Sequence, residues 1–231
     1  MGKKVLISGA SRGIGYAAAA AFAANGYSVT ALWHTAPECL ELPCAGICPV
    51  RCDVSNSASV ERLFEQVGDV DVLINNAAIS KSVLFTDITE AQWDEMLNVD
   101  LKSVFLMTKA FLPGMIRKKN GKIINISSIF GVVGGACEVH YSAAKAGVIG
   151  LTKALAKEVG PSGIQVNCIA PGVIDTRMNA GLSEPDMAAL REQTPLGRLG
   201  TPEDVARLAL FLAEDSFITG EVIHTGGGFL R

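Results

Sequence analysis

Seven short runs of apolar and β-branched residues punctuate the chain, at 5–8, 28–32, 47–51, 70–75, 122–127, 164–170 and 221–224. They are apolar throughout rather than alternating, which is the pattern of strands buried on both faces. Between them the hydrophobic spacing turns helical, near 13–25, 57–67, 90–118, 140–160 and 202–214. This alternation predicts an α/β fold: a Rossmann-type, doubly wound sheet of about seven parallel strands, with right-handed crossovers and helices on both faces. No composition break or internal repeat interrupts it, so residues 1–231 are expected to form a single domain. The most irregular long segment, 176–200, contains Pro185 and Pro195 and closes on two glycines. It is expected to act as a mobile substrate lid over the carboxyl ends of the strands, where ligands bind in open α/β sheets.

Composition narrows the partners. Nearly half of the 231 residues are hydrophobic and 24 are glycine, a mixture suited to a sheet covered on both sides. The net charge is −3 and the longest basic run is Arg117-Lys118-Lys119, which argues against a nucleic-acid partner. No apolar run approaches the ~20 residues of a membrane span. The chain passes directly into Lys3-Lys4-Val5-Leu6-Ile7, without the pattern of a signal peptide. A cytoplasmic protein with no membrane partner is expected. Cys39, Cys44, Cys48 and Cys52 crowd into fourteen positions, but no Cys-x-x-Cys pair occurs. The spacing does not match zinc or iron–sulfur sites, so reduced thiols and no metal are expected.

The first strand ends in Ser8-Gly9-Ala10-Ser11-Arg12-Gly13-Ile14-Gly15 and an Ala-rich helix follows. Glycines at 9, 13 and 15 let the backbone turn tightly and approach a pyrophosphate, with the helix N-terminus facing its charge. Gly9, Ser11, Arg12, Gly13, Ile14 and Gly15 are therefore candidate cofactor contacts. The second strand ends in Leu32-Trp33-His34-Thr35, with no acid to accept the ribose hydroxyls. With Arg12 in the glycine turn and His34 nearby, this favours NADP(H), with NAD(H) as the alternative. Asp53-Val54 follows the third strand, where the adenine edge is read, and Asn76 stands in Asn75-Asn76-Ala77-Ala78 at the end of the fourth. Ile174 and Thr176, in Pro171-Gly172-Val173-Ile174-Asp175-Thr176, are placed to hold the nicotinamide amide.

Tyr141 and Lys145 are four residues apart on a predicted helix, hence on one face, about 6 Å apart at Cβ. An ammonium there favours the phenolate and is expected to lower a pKa that starts near ~10. A tyrosine so tuned does general acid–base work. Ser128, thirteen residues upstream, is placed to aim a hydroxyl at the same oxygen. His140 points about 100° away from Tyr141 and is expected at the rim or in the core. His224 is expected in packing or an intersubunit contact.

Together, residues 9–15, Asp53-Val54, Asn75-Asn76-Ala77, Ser128, Tyr141-x-x-x-Lys145, Pro171-Gly172, residues 197–206 and Thr219-Gly220-Glu221 resemble the short-chain dehydrogenase/reductase family over essentially the whole chain. Within that family the chain is similar to the 3-oxoacyl-[acyl-carrier-protein] reductases. The resemblance implies an oxidoreductase that reduces a carbonyl to a secondary alcohol with NADP(H), a 3-oxoacyl thioester being the first substrate. A sugar, polyol, steroid or other secondary alcohol is the alternative, and a nucleotide sensor without turnover lies further off. It also implies Tyr141 as proton donor, Ser128 holding the carbonyl, and Lys145 binding the nicotinamide ribose while tuning the tyrosine. Homotetramer or homodimer assembly, through the apolar faces of the helices at 90–118 and 140–160, is implied as well. Two departures stand out. Asp100, in Asn98-Val99-Asp100-Leu101, occupies the position where the family usually has a catalytic asparagine. For docking of an acyl carrier protein, Lys119 is present but Ser162 stands where a basic residue is frequent.

Overall fold

The computed structural model describes residues 2–35, 46–179 and 183–229. Seven strands form one sheet: β1 (Lys4–Ile7), β2 (Ser28–Trp33), β3 (Ile47–Arg51), β4 (Val72–Asn75), β5 (Gly121–Ile126), β6 (Ile164–Pro171) and β7 (Val222–Thr225). Their order is β3-β2-β1-β4-β5-β6-β7 and every neighbouring pair is parallel. The order reverses between β1 and β4, and a crevice opens at that point outside the carboxyl ends.

Alternate residues of each strand serve opposite faces. Val5 and Ile7 join Ala17, Ala18 and Phe22 of α1 (Gly13–Ala24), together with Val205 and Ala209 of α8 (Pro202–Glu214). Leu6, Leu73, Ile123 and Val166 point the other way. They pack on α2 (Ser57–Val67), α4 (Ser103–Lys118) and α6 (Val139–Val159), where Leu63, Phe111 and Ala156 are buried. Burying a side chain such as Phe22 or Phe111 contributes about 2–3 kcal/mol each. The inner runs are apolar throughout because both faces are covered there, whereas the edge strands β3 and β7 stay partly exposed.

The expected helix at 90–118 is in fact three pieces: α3 (Glu90–Leu97), a π-helical turn (Asn98–Lys102) and α4. The widened turn carries Asp100 inward, and the Ser103 hydroxyl donates to the Val99 carbonyl beside it. Periodicity alone gives no sign of such a bulge, which is frequent at functional sites. A buried polar chain anchors the two long helices to the sheet. Asn75 of β4 donates to Thr108 and to Asn125 of β5, Asn125 donates to Thr152, and Thr152 donates to the Val148 carbonyl. Within 176–200 the described part includes α7 (Glu184–Glu192), capped by Ser183 and Asp186. A short helical turn, α5 (Phe130–Val133), follows β5.

Cys48 is exposed and Cys52 buried on and after β3, whereas Cys39 and Cys44 lie outside the described residues. No group of metal-ligating side chains forms among the described residues, and none of the described helices is long and apolar enough to cross a membrane. His224 is exposed on the edge strand β7, not packed within the chain as one of its expected roles required. His140 is fully buried in the core, and neither ring nitrogen has a hydrogen-bond partner among the described residues.

Candidate active site

The turn after β1 is built around close approach. Gly9 adopts φ +64, and a Cβ there would lie 2.8 Å from the Ala77 Cα. At Gly15 a Cβ would lie 2.3 Å from the Gly9 carbonyl oxygen. Ser8 and Asn76 lock this turn to the end of β4. The Asn76 and Ala77 N–H groups donate to the Ser8 hydroxyl at 2.9 and 3.0 Å, and the Asn76 amide donates to the Ser8 and Gly9 carbonyls. α1 then begins at Gly13 with Arg12 as an exposed N-cap residue. A cradle that a single Cβ would fill, opening onto a helix N-terminus, fits a dinucleotide pyrophosphate.

Beyond the carboxyl ends of β4, β5 and β6 lies a cavity of about 540 Å³. Ser128, Tyr141 and Lys145 line it, together with Asn76, Ile14 and Thr176 toward the glycine turn. Ser128 follows β5 and Tyr141 and Lys145 stand on α6, which is tied to the strand end by the Ser127 hydroxyl donating to the Lys145 carbonyl at 2.8 Å. The Lys145 ammonium donates to the Ile126 carbonyl at 3.2 Å and lies 5.6 Å from the centre of the Tyr141 ring. Behind it, Asp100 Oδ2 is 3.3 Å away, an ion pair without an aligned hydrogen bond, in side chains 2% and 0% exposed. The other oxygen, Oδ1, accepts the Ile79 N–H at 2.9 Å.

The charges of this group act on one another. Burial alone would depress the Lys145 ammonium, but Asp100 and Tyr141 outweigh it and its pKa is raised. Burial raises the Asp100 carboxyl, against the pull of Lys145 and the Ile79 N–H. The expected lowering of Tyr141 is corrected here. Burial raises the phenol, Lys145 and the Ser128 hydroxyl pull it down, and Asp100 and Glu138 add to the rise. The four-residue spacing foretold the ammonium but not the carboxylate behind it.

Most of the remaining candidates fall outside the cavity wall. Gly9, Ser11, Arg12, Gly13 and Gly15 form the turn itself. His34 and Asp53 are neighbours beyond β2 and β3, where burial would raise the Asp53 carboxyl but two hydrogen bonds from Ser55, aided by His34, bring it below its ordinary value. The Val54 side chain is buried in the core above Leu63, so only its backbone is available to a ligand. Ile174 is buried and, with Thr176, reaches the cavity. Sequence reading missed four residues. Ser8 and Ile79 act through positions next to marked motifs. Arg51 pairs in register with Trp33, lies 5.6 Å over its ring and donates to the His34 carbonyl. Glu138, the N-cap residue of α6, lines the cavity three positions before Tyr141.

A glycine cradle at the β1–β4 switch point, with serine, tyrosine and lysine converging in the adjoining cavity, defines a class of enzyme. The chain belongs to the short-chain dehydrogenase/reductase family, oxidoreductases that act on CH–OH groups with a nicotinamide cofactor. A family model described as enoyl-(acyl carrier protein) reductase matches residues 9–230. The 3-oxoacyl-[acyl-carrier-protein] reductase FabG of Aquifex aeolicus (strain VF5) is 41% identical over 98% of this chain and 97% of its own. The enzyme of the same name from Escherichia coli (strain K12) is 39% identical, with the same coverage. A crystal structure of 3-oxoacyl-[acyl-carrier protein] reductase from Brucella melitensis ATCC 23457 superposes with a TM-score of 0.92 at 35% identity, covering 99% of this chain and 91% of that one.

Proposed function

We propose that this protein is an NADPH-dependent reductase of 3-oxoacyl thioesters, working in the cytoplasm. The observation that carries the reading is the convergence of Ser128, Tyr141 and Lys145 in one cavity that reaches the glycine turn. A reduced nicotinamide, held by the glycine turn, would supply the hydride for the carbonyl carbon. Ser128 donates a hydrogen bond to the carbonyl oxygen and polarises it. Tyr141 delivers its phenolic proton to that oxygen as negative charge develops there. Lys145 stabilises the phenolate that remains and would hold the nicotinamide ribose. Asp100 fixes the Lys145 ammonium. Met178 and Leu190, from the segment read as a lid, line the same cavity and would exclude water on closure.

NADP(H) is favoured over NAD(H) because His34 and Arg51 lie beyond β2 and Arg12 caps the helix that follows the neighbouring strand β1. Asp53, the acid there, is already turned to Ser55. The exposed Phe105 and Ile116 on α4 suit pairing of subunits as a dimer or tetramer. A second reading, reduction of another ketone or oxidation of a secondary alcohol, is favoured by the basic patch. Arg117 and Lys118 are engaged with Asp69 and Asp71, leaving only Lys119 for an acidic carrier protein.

The test is consumption of NADPH in the presence of an acetoacetyl thioester, followed by a panel of ketones. Tyr141→Phe should retain NADPH binding and lose about a thousandfold in turnover. Normal turnover by that variant would overturn the mechanism, and reduction of ketones but no thioester would transfer the assignment to the second reading.

A further inference from the structure

One carboxylate faces the reaction cavity and has no part in the chemistry above. Glu138 ends the turn before α6, three residues ahead of Tyr141, and both line the cavity. Its backbone is fixed on both sides. The Glu138 N–H donates to the Gly135 carbonyl, its carbonyl accepts the Ser142 N–H at 2.7 Å, and the preceding residue, Cys137, sits at φ +60 with its carbonyl accepting the Val83 N–H. The side chain is held by Ser80, whose hydroxyl donates toward both carboxylate oxygens at 3.4 and 3.3 Å. Burial raises the Glu138 carboxyl above its ordinary value, while the Ser80 hydroxyl and the N-terminus of the 21-residue helix α6 pull back toward the anion.

The other ionisable groups of the cavity wall are Tyr141 and Lys145. The Lys145 charge is neutralised by Asp100 behind it, and the nearby Lys81 is paired with Glu95. With Glu138 ionised, the described cavity wall carries one net negative charge, beside the place where a carbonyl must sit to reach Tyr141 and Ser128. Facing it, Phe130, Val173, Met178 and Leu190 offer apolar surface.

We propose that Glu138 and Ser80 form an anion-rejecting, donor-accepting subsite, which admits carbonyl substrates whose neighbouring acyl group is neutral, takes an N–H donor where that group carries one, and turns away the corresponding free 3-oxo acids. Repulsion between two charges about 6 Å apart, at an effective dielectric constant near 20, corresponds to about a hundredfold. This deepens the reductase reading and rests on it for the word substrate. A thioester or amide passes the filter. Its hydrolysis product does not.

Acetoacetamide and acetoacetate test it, being nearly equal in size and differing in charge and in N–H donors. Wild-type protein should prefer the amide in kcat/KM by at least about tenfold, and Glu138→Gln should shrink that ratio at least fivefold by improving acetoacetate. The charge preference is also read from equilibrium binding of the two compounds to the cofactor-free protein, where no reduction occurs. If neither compound turns over but binding still discriminates by charge and Glu138→Gln abolishes the discrimination, the subsite stands and the reductase reading fails. Should Glu138→Gln not fold, salt titration of the wild type substitutes, because added salt must lower the amide preference. A ratio near one in the wild type, or one untouched by the substitution or by salt, overturns the proposal.

Discussion

Asp100 and Lys145 form an ion pair at 3.3 Å in which both side chains are sealed from solvent. Asp100 reaches it because the π-helical turn between α3 and α4 rotates the residue inward, where the Ile79 N–H holds its other oxygen. The pair sets the electrostatics of Tyr141, since the ammonium that favours the phenolate is itself matched by a carboxylate that disfavours it.

Replacing Asp100 by Asn keeps the acceptor for Ile79 and removes the charge. The raised Lys145 then loses its largest support, and Tyr141 loses a contribution that pushes it up. Alcohol oxidation needs Tyr141 deprotonated, so the acidic limb of the oxidation pH profile should move to lower pH in Asp100→Asn. An unmoved limb would show that Asp100 does not act on Tyr141.

The same pair makes a prediction about stability. Removing one partner of a buried ion pair strands the other, at a cost of about 3–5 kcal/mol. Lys145→Met should lose about that much in urea denaturation, because Asp100 is left buried without its cation. Adding Asp100→Asn should restore a large part of the loss. Equal losses in the single and double variants would mean that Lys145 stabilises through packing alone.

Strand positions were legible because the middle of the sheet is buried on both faces: apolar runs at 122–127 and 164–170 became β5 and β6 with little change. The glycine turn and the Tyr141–Lys145 spacing were legible because each is a local motif with a geometric purpose. What depended on contacts between distant segments was not. The Ile79–Asp100 bond spans 21 positions, and nothing in Asn98-Val99-Asp100 announces a π turn. The direction of the Tyr141 shift was misjudged because burial and a third charge outweigh the neighbouring ammonium. Glu138 reads as an ordinary acid before a helix, and only the folded turn places it on the cavity wall.

Gly15→Ala tests the cradle. Alanine gains about 1 kcal/mol of helix propensity over glycine, but its Cβ would lie 2.3 Å from the Gly9 carbonyl oxygen and 2.6 Å from the Asn76 amide. Backbone cannot yield that much without moving the turn, and overpacking of this kind costs about 1–3 kcal/mol. Thermal unfolding should show a lower midpoint, with a smaller upward shift on adding NADPH than in the wild type. A variant with the wild-type midpoint and the full cofactor shift would mean that the turn is slack.

Cofactor choice rests on the cations beyond β2. Arg51 is held over Trp33 and donates to the His34 carbonyl, which fixes a guanidinium at the strand end while leaving it exposed. Arg12 stands at the N-cap of α1, after β1, the strand that neighbours β2. A 2′-phosphate takes charge-assisted hydrogen bonds from such groups, each contributing about 1.5–3 kcal/mol, whereas a ribose hydroxyl gains little from them. Arg12→Ala and Arg51→Ala should each raise the Kd for NADPH by about tenfold or more and leave the Kd for NADH within about twofold. Added salt should weaken NADPH binding to the wild type more than to either variant, because fewer exposed charges remain to be screened. Equal loss of both cofactors in both variants would trace the arginines to the shape of the turn and remove the ground for favouring NADP(H).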